Sequence, residues 1–235
     1  MKIFITGHSA GIGRALATKL LTSGHTVFGV SRRSMEVEDS RLREIAADLS
    51  ELNKIRSVLN NLLDSITPDL VFLNAGVLGD FKKTSELSTI EINNTLNINA
   101  WSNKTILDWL LEQKKHPQQI ILLSSGASLK GNIGWGSYAI SKTVLNMLAL
   151  LYSEEFNKTH ISAIAPGIVE TNMQQTLRRM DTKMFPSINR LKSMYKTKMV
   201  QSAVEAAGNI VSHLEAIKSQ KTGSFIDLRT FLKKD

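Results

Sequence analysis

The sequence predicts an α/β fold: a doubly wound parallel β-sheet of about seven strands flanked by helices. Three observations carry this. Short apolar segments alternate with longer helical patterns along the chain, as βαβ units require. Several of those segments, Val71-Phe72-Leu73 and Ile120-Ile121-Leu122-Leu123 among them, are apolar without alternation, which suits strands covered on both faces. A glycine-rich turn also follows the first segment directly and opens a helix.

In chain order, the predicted strands are Lys2–Thr6, His25–Val30, Glu44–Asp48, Leu70–Asn74, Gln119–Ser124, His160–Ala165 and Ser224–Leu228. Helical patterns lie between them near 11–23, 51–64, 88–114, 137–157 and 200–217. Ser31 to Arg43 is polar and lacks such a pattern, so one crossover is expected to be poorly formed. No repeat, low-complexity tract or Pro/Gly linker interrupts the chain, and 235 residues approach the upper end for one core. A single domain over residues 1–235 is expected.

Composition removes several function classes. Apolar residues make up 42% of the chain, enough for a core. No run approaches the ~18 apolar residues of a membrane span, so no membrane partner is expected. The start MKIFITG has too short an apolar run for a secretory signal, which needs ~7–15 such residues, and a cytoplasmic location is expected. There is no cysteine, hence no disulfide, thiolate metal site or Cys nucleophile. The five histidines lack metal-ligand spacing, and no metal is expected. The net charge of +8 reads as service to a phosphorylated cofactor or an anionic substrate. No local motif supports nucleic acid as a partner.

The turn Thr6-Gly7-His8-Ser9-Ala10-Gly11-Ile12-Gly13 has G-x-x-x-G-x-G spacing. Gly7 suits a tight turn, Gly11 a close backbone approach to a pyrophosphate, and Gly13 close helix–strand packing. Ser9 and Ile12 fall at the helix start, whose free N–H groups and partial positive charge attract phosphate. His8 reads as a turn residue near the cofactor. This is the nucleotide crevice of a Rossmann-type sheet, where an acid after the second strand commonly holds the ribose 2′-OH. Here that position reads Val30-Ser31-Arg32-Arg33. A guanidinium fork at Arg32, with the hydroxyl of Ser31, suits a 2′-phosphate, so NADP(H) is expected in preference to NAD(H). Arg33 is expected to face the opposite side.

Tyr138-Ala139-Ile140-Ser141-Lys142 sets a phenol and an ammonium one helical turn apart. A nearby cation is expected to lower the phenol pKa and fit Tyr138 for acid/base work. Upstream, Ser124, Ser125 and Ser128 compete to place a hydroxyl at the end of the fifth strand.

The set Gly7-x-x-x-Gly11-x-Gly13, Asp48, Asn74-Ala75-Gly76, Asn99, Ser125, Tyr138-x-x-x-Lys142, Pro166-Gly167 and Thr171 resembles the short-chain dehydrogenase/reductase family over nearly the whole chain. The resemblance implies an NADP(H)-dependent oxidoreductase that moves a hydride between the nicotinamide and a carbonyl or secondary alcohol. It makes Tyr138 the acid/base, and Ser125 the group that bonds the substrate oxygen. Lys142 would tune Tyr138 and bond the nicotinamide ribose. Asn99 would hold a water of a proton relay; Asn97, two residues earlier, is the competing position. Asp48 would contact the adenine, and Asn74, Ala75 and Gly76 would wall the adenosine side. Pro166, Gly167 and Thr171 would lie against the nicotinamide. It further implies a homodimer or homotetramer through helices near 100–114 and 137–157.

The resemblance also implies a lid from about Glu170 to Met199. This stretch carries Arg178, Arg179, Lys183, Arg190, Lys192, Lys196 and Lys198, against Glu170 and Asp181. An anionic substrate is one reading, and an ordinary solvated lid is the other. Trp135 falls at the pocket rim, while Trp101 and Trp109 suit helix packing. The alternative function on the same fold is a non-catalytic NADP-binding sensor. A sugar-nucleotide epimerase would need different glycine spacing and a larger C-terminal part.

Overall fold

The computed structural model describes residues 1–195, 197 and 200–231; the predicted lid residues Lys196, Lys198 and Met199, and the last four residues, lie outside them. Among the described residues, β1 (Lys2–Thr6), β2 (Thr26–Ser31), β3 (Leu42–Ala46), β4 (Leu70–Leu73), β5 (Gln119–Leu123) and β6 (His160–Ala165) are parallel. A short parallel ribbon, β7 (Ile168–Glu170) with β8 (Val200–Ser202), then stands apart before β9 (Phe225–Asp227) joins the sheet beside β6. The sheet order is β3-β2-β1-β4-β5-β6-β9. Strand order reverses between β1 and β4, and ligands bind such sheets at the crevice outside that switch point.

Each central strand sends alternate side chains to two cores. Phe4, Val71, Ile120 and Leu122 meet the helices α2 (Leu52–Leu63), α4 (Ser102–Glu112) and α5 (Gly136–Glu155) on one face. Ile3, Ile5, Phe72 and Ile121 meet α1 (Gly11–Thr22) and α8 (Ala203–Ser212) on the other. Burial on both faces is why these strands read as unbroken apolar runs. The remaining helices are α3 (Thr89–Leu96), α6 (Asn172–Arg178), α7 (Pro186–Met194), α9 (Leu214–Lys218) and α10 (Leu228–Phe231). Ser88 with Glu91, and Ser202 with Glu205, form capping boxes that start α3 and α8.

Four local expectations change. β3 begins at Leu42, so Asp48 lies beyond it in the turn to α2. The helical stretch near 88–114 is α3 and α4 joined by a π turn over Asn97–Trp101. The stretch near 200–217 starts with β8 and divides into α8 and α9. The ribbon β7–β8 was not foreseen; it pairs Ile168 with Val200 and so frames both ends of the lid segment. The crossover from β2 to β3 does lack a helix, and the buried Met35 fills that face instead.

Candidate active site

A cleft of about 710 Å³ runs along the carboxyl ends of β1, β2, β4, β5 and β6. It is lined by Gly7, Ser9, Gly11, Ile12, Ser31, Arg32, Asp48, Asn74, Ala75 and Gly76, then by Ser125, Tyr138, Lys142, Pro166, Gly167 and Thr171. Two predicted positions do not line it. Gly13 lies beneath, where a methyl would overlap the Gly7 carbonyl and the Asn74 amide. Asn99 lies behind the wall.

The end of the cleft at the glycine-rich turn is set by backbone. Gly7 has φ +70°, and a Cβ there would stand 2.9 Å from Ala75 Cα. Asn74 locks the turn, its Nδ2 donating to the carbonyls of Thr6 (3.0 Å) and Gly7 (3.2 Å). Thr6 Oγ1 accepts in turn from the amides of Asn74 and Ala75. The N-cap of α1 is Ala10, which offers no side-chain acceptor, so the first-turn N–H groups face the cleft without a side-chain cap. Thr171 stands opposite, its methyl at ordinary contact distance from a Cβ built on Gly11.

At the far end Arg32 and Arg33 are both exposed and both line the cleft, so Arg33 does not turn away as expected. The Ser31 hydroxyl is engaged, donating to the Arg33 carbonyl (2.6 Å). The Asp48 carboxyl sits below the usual range, chiefly through the Ser50 N–H and hydroxyl, with Arg32 adding its charge. His8 does not line the cleft. Its ring is fully buried over Gly29 and bonds Glu44.

At the other end Tyr138 and Lys142 project from one face of α5, both almost wholly buried. Lys142 Nζ donates to the Leu123 carbonyl at 2.6 Å and lies 5.7 Å from the Tyr138 ring centre. Burial lowers Lys142 to about 8. Burial also pushes the Tyr138 phenol up, against a smaller opposite pull from the Ser125 hydroxyl. Tyr138 is therefore raised, not lowered as expected, because desolvation outweighs the hydrogen bond with Ser125.

The three serines separate by partner. Ser124 Oγ donates to Asn146 Oδ1 (2.5 Å), and Ser128 Oγ donates to the Ser125 carbonyl while accepting from Asn146 Nδ2. Ser125 is the one beside Tyr138; its hydroxyl also accepts from the Ala127 amide. Asn99, in the π turn, clasps Val77 through both amide atoms (2.8 and 2.9 Å) and donates to Ser141 Oγ. Asn97 is half-buried and does not line the cleft.

Over the cleft, α6 and α7 add Met173, Leu177, Leu191 and Met194. Trp135 reaches them, its Nε1 donating to Ser187 Oγ (2.9 Å) and its ring lying edge-on to Phe81. Of the lid cations, Arg178 is taken by Glu170 in two bonds, while Arg190 lines the cleft. Sequence reasoning missed Val77, Leu123 and Ser141, whose roles run through long-range contacts. It also missed Glu44, for which Gly29 inside an apolar strand was the available signal.

Residues 1–182 match the short chain dehydrogenase family. The chain is 28% identical over 241 residues to benzil reductase ((S)-benzoin forming) from Bacillus subtilis, covering 97% of this chain and 98% of that one. It is 28% identical over 255 residues to sepiapterin reductase from Rattus norvegicus, covering 95% and 94%. Among solved structures, a short chain dehydrogenase/reductase from Saccharomyces cerevisiae superposes with a TM-score of 0.84 at 22% identity, covering 97% of this chain and 95% of that one. The chain belongs to the short chain dehydrogenase family.

Proposed function

We propose that this oxidoreductase uses NADP(H) to interconvert a carbonyl compound and a secondary alcohol, with Tyr138 as acid/base. The observation that carries the reading is a single cleft joining the uncapped, glycine-lined start of α1 to the buried Ser125, Tyr138 and Lys142. The residues fit a dinucleotide. Backbone N–H groups suit the pyrophosphate, Arg32 suits a 2′-phosphate, the Ser31 hydroxyl being already given to the Arg33 carbonyl, and Asp48, Asn74, Ala75 and Gly76 flank the adenosine side. Pro166, Gly167 and Thr171 would hold the nicotinamide end. When bound, the nicotinamide supplies or accepts the hydride.

The chain's own groups handle the proton and the orientation. Ser125 Oγ donates to the substrate oxygen, and Tyr138 Oη passes it a proton in reduction or takes one in oxidation. Lys142 would hold the nicotinamide ribose of a bound cofactor and would replenish the proton on Tyr138. Asn99 remains the relay residue in this proposal, because it is buried against Ser141, the neighbour of Lys142 in sequence. The lid excludes water from the reacting atoms.

The proposal includes one domain, a cytoplasmic location and a homodimer or homotetramer. Ile140, Met147, Leu150 and Leu151 are exposed along α5 and support self-association. Among the described residues, no helix is long and apolar enough to cross a membrane. The test is reduction of a carbonyl panel with NADPH and NADH, starting from benzil and sepiapterin because of the relatives' names, with anionic ketones included. Turnover with NADPH favoured supports the reading. Tight NADPH binding without turnover of any carbonyl leaves the non-catalytic sensor instead.

A further inference from the structure

His8 and Glu44 are not used by the chemistry above, yet they join two loops of the cofactor cleft. Ile5, Gly29 and Glu44 lie side by side on β1, β2 and β3 in register. His8, three residues after Ile5, swings its ring back across β2. The ring occupies the space over Gly29, where a Cβ would stand 2.5 Å from Nδ1. Crossing the strand this way requires glycine at position 29. On the far side the His8 Nε2–H donates to Glu44 Oε2 at 2.5 Å. His8 is fully buried, and its Nδ1 has no partner among the described residues, so Glu44 alone fastens the ring.

The same carboxylate accepts the Met35 backbone N–H at 3.0 Å. Met35 is itself fully buried in the core beneath. The loop that leaves β2 is therefore pinned twice, by Ser31 to Arg33 at its start and by Met35 to Glu44 at its end. Arg32 lies inside the first pin and Arg33 forms its far end, both exposed to the cleft.

We propose that His8 and Glu44 are positioning residues for cofactor selection: one carboxylate ties the glycine loop to the arginine loop and sets where the 2′-phosphate meets Arg32. The proposal rests on the NADP(H) reading. It places selectivity in two side chains that do not touch the cofactor, and it explains why a histidine stands between Gly7 and Ser9. Loss of the tie frees the arginine loop while leaving the glycine loop's own backbone turn held by Asn74.

The experiment is calorimetric binding of NADPH, NADH and 2′,5′-ADP to wild type and to Glu44→Ala, Glu44→Gln, Gly29→Ala and Arg32→Ala. Glu44→Ala is expected to weaken NADPH and 2′,5′-ADP by about tenfold or more while NADH changes by less than about twofold. Glu44→Gln, which keeps an acceptor for Met35, is expected to recover most of that loss. Gly29→Ala, which drives a methyl into the His8 ring, is expected to reproduce it and stands in if Glu44→Ala does not fold. Equal weakening of both dinucleotides, or no change, overturns the proposal. Arg32→Ala separates the two levels. If it lowers the NADPH preference and Glu44→Ala does not, the tie is wrong and the NADP(H) reading stands. If Arg32→Ala leaves an NADPH preference unchanged, the role given to Arg32 and the tie both fall; if the wild type shows no NADPH preference, the NADP(H) reading falls as well.

Discussion

Replacing Gly13 by alanine tests how closely α1 is seated on the turn after β1. The new methyl would overlap the Gly7 carbonyl oxygen and lie 2.9 Å from the Gly7 carbonyl carbon. It would also displace the Asn74 amide, which holds both Thr6 and Gly7. Two hydrogen bonds at about 0.5–1.5 kcal/mol each are at stake. Forcing a methyl into a closed contact costs about 1–3 kcal/mol. Alanine returns about 1 kcal/mol over glycine within a helix. The net expectation is a loss of about 3 kcal/mol, or about 6–12 °C in Tm for a chain of this size. Gly208, in α8, is the control. A Cβ built there meets nothing within 4 Å, so Gly208→Ala is expected to gain about 1 kcal/mol. Scanning calorimetry on the two variants reads opposite signs. A Gly13→Ala melting temperature within about 2 °C of wild type would refute the packing reasoning.

Three further outcomes follow from the site. Lys142 titrates near 8 when folded against an ordinary value of 10.5, so between those values the unfolded chain holds more protons. Stability attributable to this group is therefore expected to rise by about 2 kcal/mol from pH ~7.5 to ~9.5. Urea denaturation should find that rise missing in Lys142→Met. Ser125→Ala is expected to lower kcat by about 10²-fold with cofactor affinity unchanged, as loss of one oxyanion donor does. Ser124→Ala should instead cost about 1–3 kcal/mol of stability, because Asn146 loses its donor; equal kinetic damage in both would contradict the separation of the two serines.

The central strands were legible because burial on both faces leaves an unbroken apolar run, as Val71 to Leu73 shows. β3 was misplaced because it is an edge strand whose side chains are half-exposed, so its pattern is weak. The π turn at Asn97 leaves the apolar periodicity of the helix nearly intact, and three-residue strands such as β7 and β8 carry too few residues to mark themselves. In the site, Tyr138 and Lys142 were legible because the four-residue spacing alone puts them on one face of a helix. The choice of Ser125 over Ser124 and Ser128 came from the resemblance alone, since the contacts with Asn146 that separate the three come from the neighbouring helix. The pKa of Tyr138 was misjudged for the same reason: spacing reports a nearby charge but not how deeply both groups are buried.

The most direct measurement compares NADPH oxidation by wild type and Tyr138→Phe with a carbonyl substrate, alongside NADPH affinity in the same preparations. The expected result is a fall in turnover of about 10²–10⁴-fold at unchanged affinity, the usual worth of a positioned general acid. Turnover close to wild type in the phenylalanine variant would contradict the account.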